Sequence, residues 1–227
     1  MEAQNPVVEL ELYFIRHGES MGNVGYGRDN LTFKEKHDPL LTEKGVIQAA
    51  YAGEFLKETD FDYVYSSGLL RAVQTATEIL KKQPTEKELN ILPLLTEVGV
   101  KPEYEGANIA EIREFRNNAV VAKDVDASKP LVCYSQFSNE DELFDRAEET
   151  VKYLLSHHCS GEKVAVVSHA AFLTIVIFWI MGFKDKCPVF DIDINNTGIT
   201  KVIFYKEGTN KYGDIVFKYI NSTAHLK

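Results

Sequence analysis

Apolar positions along this chain switch between two periods. Residues 10–15 carry branched and aromatic side chains in partial alternation and predict a buried strand. The glycine-rich, partly basic stretch 18–38 predicts a long loop. Thr42 then opens a helix over 43–58, with Val46, Ile47, Ala50, Tyr51 and Phe55 as its expected apolar stripe. Residues 61–67 predict a second strand. A helix follows over 69–82, turning Leu69, Val73, Ala76 and Leu80 inward and ending on Lys81 and Lys82, where cations suit the helix dipole. A short strand broken by Pro93 is expected at 90–95. Asn139 with Glu142 three residues on has the form of a capping box, and starts a helix to about residue 157. Residues 163–169 and 169–181 follow as strand and helix. The tail predicts strands at 189–194, 198–206 and 214–220, with a hairpin at 207–213.

Strand–helix alternation over most of the length predicts a three-layer α/β/α fold with a mainly parallel sheet. Residues 102–138 fit this rhythm least and are expected to form a small cap or insertion within a single domain spanning 1–227. Residues 164–183 contain no acid, Lys or Arg and reach membrane-span length. Ser168 and His169 interrupt them, however, so a buried strand, a turn and a core helix are expected instead.

Composition narrows the partners. The formal net charge of −9 disfavours nucleic acid and anionic membrane as ligands. A small anionic substrate requires a locally basic pocket. Cys133, Cys159 and Cys187 are widely spaced and without a Cys-x-x-Cys pair, which suits a reducing, cytoplasmic setting and no structural zinc. None is followed by arginine six positions on, so the loop of cysteine-dependent phosphatases is absent.

Polar residues gather where the predicted strands end. Arg16, His17 and Asn23 follow the first, Ser66 and Ser67 end the second, and Arg71 lies one helical turn later. Glu97 follows the third, and Ser168 and His169 close the next. In a parallel sheet these carboxyl ends share one edge, so residues distant in sequence converge. Two arginines, two histidines and a carboxylate suit phosphoryl transfer. Arginine forks neutralise the equatorial oxygens, an imidazole can attack phosphorus, and a carboxyl group can protonate the leaving alkoxide and later activate water.

The segments Arg-His-Gly-Glu-Ser at 16–20, Asn23, residues 66–76, residues 94–99 and Ser168-His169 before an apolar helix together resemble the histidine phosphatase (phosphoglycerate mutase-like) superfamily. The resemblance runs from about residue 10 to 205 and is thin between 107 and 138. It implies the phosphoglycerate mutase-like fold and His17 as nucleophile. Arg16, Asn23, Arg71 and a charged His169 are then expected to line the phosphate pocket, with Glu97 as the acid–base group. Tyr104 stands where that family often has tryptophan, Gly68 where it usually has proline, and Ser168 where it usually has glycine. Glu19-Ser20 and Ala170 match the branch whose acid lies on a separate segment.

The reading that results is a metal-independent phosphatase with no cofactor, acting on a small phosphorylated metabolite or a phosphoprotein. The loop 25–38 and the 102–138 segment are expected to set specificity. A cofactor-dependent phosphoglycerate mutase is the alternative; its characteristic loop tryptophan is missing, since Trp179 is the only tryptophan and lies in an apolar helix. A catalytically dead phosphoprotein-binding module would not need both His17 and Glu97. Asp191 and Asp193 resemble the Asp-x-Asp pair of magnesium-dependent phosphatases, but too little chain follows them, and they read as the solvent face of a strand. His37, His157, His158 and His225 read as solvated.

Overall fold

The computed structural model describes residues 5–25 and 31–227. Part of the predicted loop, with Arg28, lies outside the described residues. Among them the chain forms β1 (Val8–Arg16), α1 (Met21–Val24), α2 (Phe33–His37), α3 (Glu43–Leu56), β2 (Tyr63–Ser66), α4 (Leu70–Leu80), β3 (Leu89–Ile91), α5 (Ile109–Phe115), β4 (Ala119–Val121), α6 (Glu140–His157), β5 (Glu162–Ser168), α7 (Ala170–Ile180), β6 (Ile199–Tyr205) and β7 (Ile215–Ser222).

The strands make one seven-stranded sheet in the order β4-β3-β2-β5-β1-β6-β7. From β4 to β1 every pairing is parallel; β6 and β7 add an antiparallel edge. Side chains of a strand alternate between faces, and the core divides accordingly. Leu12, Phe14, Val164 and Val166 join α6 and α7 on one face, whereas Tyr13, Ile15, Ala165 and Val167 join α3, α4 and α5 on the other. Because β5 is covered on both faces, it reads as an unbroken apolar run, as buried parallel strands do. The long apolar stretch is therefore β5 followed by the eleven-residue α7. No helix among the described residues is long and apolar enough to cross a membrane.

Three local expectations fail. The stripe assigned to α3 is its outer face: Val46, Ile47, Tyr51 and Phe55 are exposed, while Gly45, Ala49, Ala52, Gly53 and Leu56 are buried. A Cβ on Gly45 would stand 1.9 Å from the Glu19 carbonyl oxygen, and one on Gly53 2.9 Å from that of Glu78. This helix packs by its smallest residues, bringing its backbone against the loop after β1 and against α4. Residues 189–194 do not form a strand, and Asp191 and Asp193 lie in an exposed irregular segment. Finally, the 102–138 segment is not all cap. Its helix α5 leads into β4, which pairs parallel to β3 and extends the sheet.

Candidate active site

Each side chain expected at the site sits at or beyond the carboxyl end of a parallel strand. His17 follows β1, its backbone N–H donating to the Ser168 carbonyl at 2.9 Å. His169 follows β5 and begins α7. Arg71 lies in the first turn of α4, just beyond β2. The sheet thus brings together residues 152 positions apart, because β1 and β5 are adjacent and in register at Arg16 and Ser168.

His17 is buried, and its two nitrogens are differentiated. Nδ1 lies 2.7 Å from the Gly18 carbonyl oxygen, which can only accept, so Nδ1 carries the proton. Nε2 is left with its lone pair and accepts from Arg71 Nε at 3.3 Å. Burial, and then the Arg71 charge, hold the imidazole well below its ordinary pKa, so it is neutral at pH 7. The His169 ring centroid is 5.1 Å away. Its Nε2 is 2.7 Å from Ser67 Oγ, and its Nδ1 has no hydrogen-bond partner among the described residues. Burial first, then Arg71, keep His169 far below its usual pKa as well. Against the charged His169 expected from the sequence, its buried and cationic surroundings favour the neutral imidazole.

Arg16 is half-buried and donates through Nη1 to the Ile194 carbonyl at 2.5 Å. Glu97 and Asp193 favour its charged form against burial. Asn23, on α1, is exposed. Its Oδ1 accepts from the Ser20 N–H at 3.0 Å and from Asn196 Nδ2 at 3.3 Å, and that same amide donates to the His17 carbonyl at 3.1 Å. Asn23 is thus tied to the His17 backbone at one remove.

Glu97 closes the start of α7, whose first residues lack a side-chain cap of their own. Its Oε1 accepts from the Val98 and Phe172 N–H groups at 2.9 and 3.0 Å, and its Oε2 from Ala171 N–H at 3.4 Å. A carboxylate there satisfies free N–H groups and meets the positive end of the helix. Oε2, with one long bond, is the less engaged of the two oxygens.

Two buried charges were not anticipated from sequence. Asp38 accepts from Leu70 N–H at 2.9 Å through both oxygens, from Tyr104 Oη at 2.9 Å, and from Arg71 Nη1 at 3.4 Å. It caps α4 from 32 residues away and fixes the arginine. The signal was the missing cap: Leu69 occupies the N-cap position of α4 with no side chain able to serve. Burial raises the Asp38 pKa, and Arg71 is the main force opposing that rise. Arg146 of α6 stacks its guanidinium on Phe172 at 4.1 Å; burial lowers its pKa, and the neighbouring Cys133 opposes that. Nor are the other histidines all solvated. His158 is buried between Tyr65 Oη, 2.9 Å from its Nε2, and Glu162, while His225 is half-buried against Thr197.

The departures from the family pattern have local reasons. A Cβ at Gly68 would lie 2.0 Å from the Leu131 carbonyl oxygen, so neither proline nor alanine fits beneath that segment. Ser168 Oγ donates to the Leu95 carbonyl at 2.6 Å, tying β5 to the segment that carries Glu97. Tyr104 supplies the hydroxyl that Asp38 binds.

Residues 12–212 match the family model described as histidine phosphatase superfamily (branch 1). The chain belongs to this superfamily. A 2,3-bisphosphoglycerate-dependent phosphoglycerate mutase of Bartonella henselae is 41% identical over 110 residues, which is 47% of this chain and 50% of that protein. The chain thus matches only half the length of that relative. A probable fructose-2,6-bisphosphatase TIGAR A of Danio rerio is 35% identical across 95% of this chain and 97% of its own length. The fold matches a phosphoglycerate mutase of Bacillus anthracis at a TM-score of 0.61, with 20% identity, covering 99% of this chain and 96% of that one. The superfamily thus contains both hydrolase and mutase names around a shared fold.

Proposed function

We propose that this histidine phosphatase superfamily member hydrolyses phosphomonoesters through a covalent phosphohistidine on His17, without a metal. The observation that carries the reading is the polarised imidazole: Nδ1–H is spent on Gly18, and the Nε2 lone pair faces the Arg71 guanidinium. An incoming phosphoryl group replaces that contact and takes the Arg71 donors on its oxygens. Arg16, Asn23 and His169 complete the cradle. An anion there raises the proton affinity of His169, so the ring becomes a donor once the ester is bound. Glu97, in its carboxylic acid form, gives the Oε2 proton to the departing alkoxide in the first step and is left as the carboxylate. In the second it takes a proton from the water that attacks the phosphohistidine.

The test is phosphate release from a panel of monoesters with a chelator present throughout. Turnover is expected to persist, as two arginines supply the positive charge. Activity that appears only with added magnesium would overturn the reading in favour of an aspartate nucleophile. Interconversion of 3- and 2-phosphoglycerate faster than hydrolysis would make the chain a mutase.

The depressed pKa of His17 also fixes a pH dependence. Attack needs the neutral ring, so the fall of kcat/KM that His17 causes on the acid side lies below pH 6.5, the group's ordinary value. Arg71 is one cause of the depression, and Arg71→Met removes it. With the same ester, the acid limb of that variant should move to higher pH, on top of a loss in rate. A limb that stays in place would show that Arg71 does not act on the imidazole.

A further inference from the structure

A cavity of about 590 Å³ runs beside the start of α7 and is roofed by residues 187–194. Its floor begins at Ala170 and Ala171, directly after His169, and Ala171 is the residue whose N–H meets Glu97 Oε2. Its roof ends at Ile194, whose carbonyl holds Arg16. Two lining residues, Ala171 and Ile194, are thus bonded through their backbones to proposed catalytic groups.

The chemistry of the wall is uneven. Ile175 and Phe178 of α7 line the interior, and Phe190 covers it from the roof, packed edge-on to Phe178 with ring centroids 5.6 Å apart. The Thr174 hydroxyl donates to the Ile192 carbonyl at 3.1 Å and holds roof to floor. Among the described residues, the charged ones lining the cavity are Asp191 and Asp193, with no lysine or arginine. A second phosphate or a carboxylate entering here would meet two carboxylates and an apolar wall, and would leave water without a partner. An uncharged hydrocarbon body meets the opposite situation, gaining from every apolar surface it covers.

We propose that this cavity seats the alcohol part of the ester, and that the preferred substrates are monoesters of compact, largely apolar alcohols bearing no second acidic group. The inference rests on the phosphatase reading above. It selects against phosphorylated acids and bisphosphates at this site, with Phe190 and Asp193 as the specificity-determining residues.

The test compares phenethyl phosphate, ethyl phosphate and 3-phosphoglycerate as substrates of the full chain. The two alkyl esters release alcohols of similar acidity, so a difference between them reports the fit of the alcohol. Phenethyl phosphate is expected to show kcat/KM about tenfold above each of the others. Phe190→Ala alters a half-exposed roof residue. It should raise KM for phenethyl phosphate roughly five- to tenfold, hold kcat, and leave ethyl phosphate unchanged. Asp193→Lys should raise kcat/KM for 3-phosphoglycerate about tenfold. Equal kcat/KM for the two alkyl esters, an equal loss on both in Phe190→Ala, or a preference for 3-phosphoglycerate in the unaltered chain would each overturn the subsite. No turnover of any ester would instead sink the phosphatase reading, and the subsite with it.

Discussion

His17→Ala should reduce phosphate release by on the order of 10⁴-fold or more, with inorganic phosphate still bound. The reason lies in what the substitution leaves behind. Arg71 remains anchored to Asp38, and Arg16 to the Ile194 carbonyl, so the cationic cradle survives. What disappears is the lone pair on Nε2. Water would then have to attack the ester directly, with no group placed to take its proton on that side. Binding and turnover therefore separate: titration with inorganic phosphate should give an affinity within a few-fold of the unaltered chain, whereas steady-state assays show almost no rate. Substantial turnover in His17→Ala would mean that another group is the nucleophile.

Glu97→Gln is expected to lower kcat by about 10² to 10⁴-fold, the usual contribution of a positioned acid–base group. The glutamine oxygen can still accept from Val98 and Phe172 N–H, as Oε1 does, so only the long 3.4 Å bond to Ala171 is forfeited. The fold and the phosphate cradle should persist, and the loss should track the leaving group. Alkyl esters need a proton on the departing oxygen and suffer in the first step. A nitrophenyl ester, whose leaving group is stable as an anion, escapes that part and should lose less. An equal penalty on both esters would assign Glu97 to holding the start of α7 rather than to moving protons.

The layered fold was legible because its signals are local. The run at β5 and the inward residues of α4 stand where periodicity put them, and Asn139 accepts from Glu142 N–H as its spacing suggested. The convergence of His17, Arg71 and His169 was legible for another reason: parallel strands carry their carboxyl ends to one edge, whatever lies between them in sequence. Contacts made by tertiary approach were not. A hydropathy pattern ranks Ile47, Tyr51 and Phe55 above glycine, yet α3 packs by Gly45 and Gly53, because only they admit the neighbouring backbone. The alternation at 189–194 imitates a strand, but β6 already pairs with β1 and β7 forms the outer edge, so the segment crosses α7 instead and roofs the cavity there. Asp38 escaped because its partners, Leu70, Arg71 and Tyr104, lie 32 to 66 residues away. Nothing near Asp38 in the chain marks it as the cap of α4.

The covalent step can be observed directly. The chain is mixed with excess monoester, quenched in base within the first turnovers, digested, and weighed by mass spectrometry. A single phosphoryl group on the peptide containing His17, stable to base and lost in acid, is the result that the geometry of Gly18, His17 and Arg71 demands. A phosphoryl group on an aspartate, or turnover with no phosphorylated peptide at any time point, would contradict it.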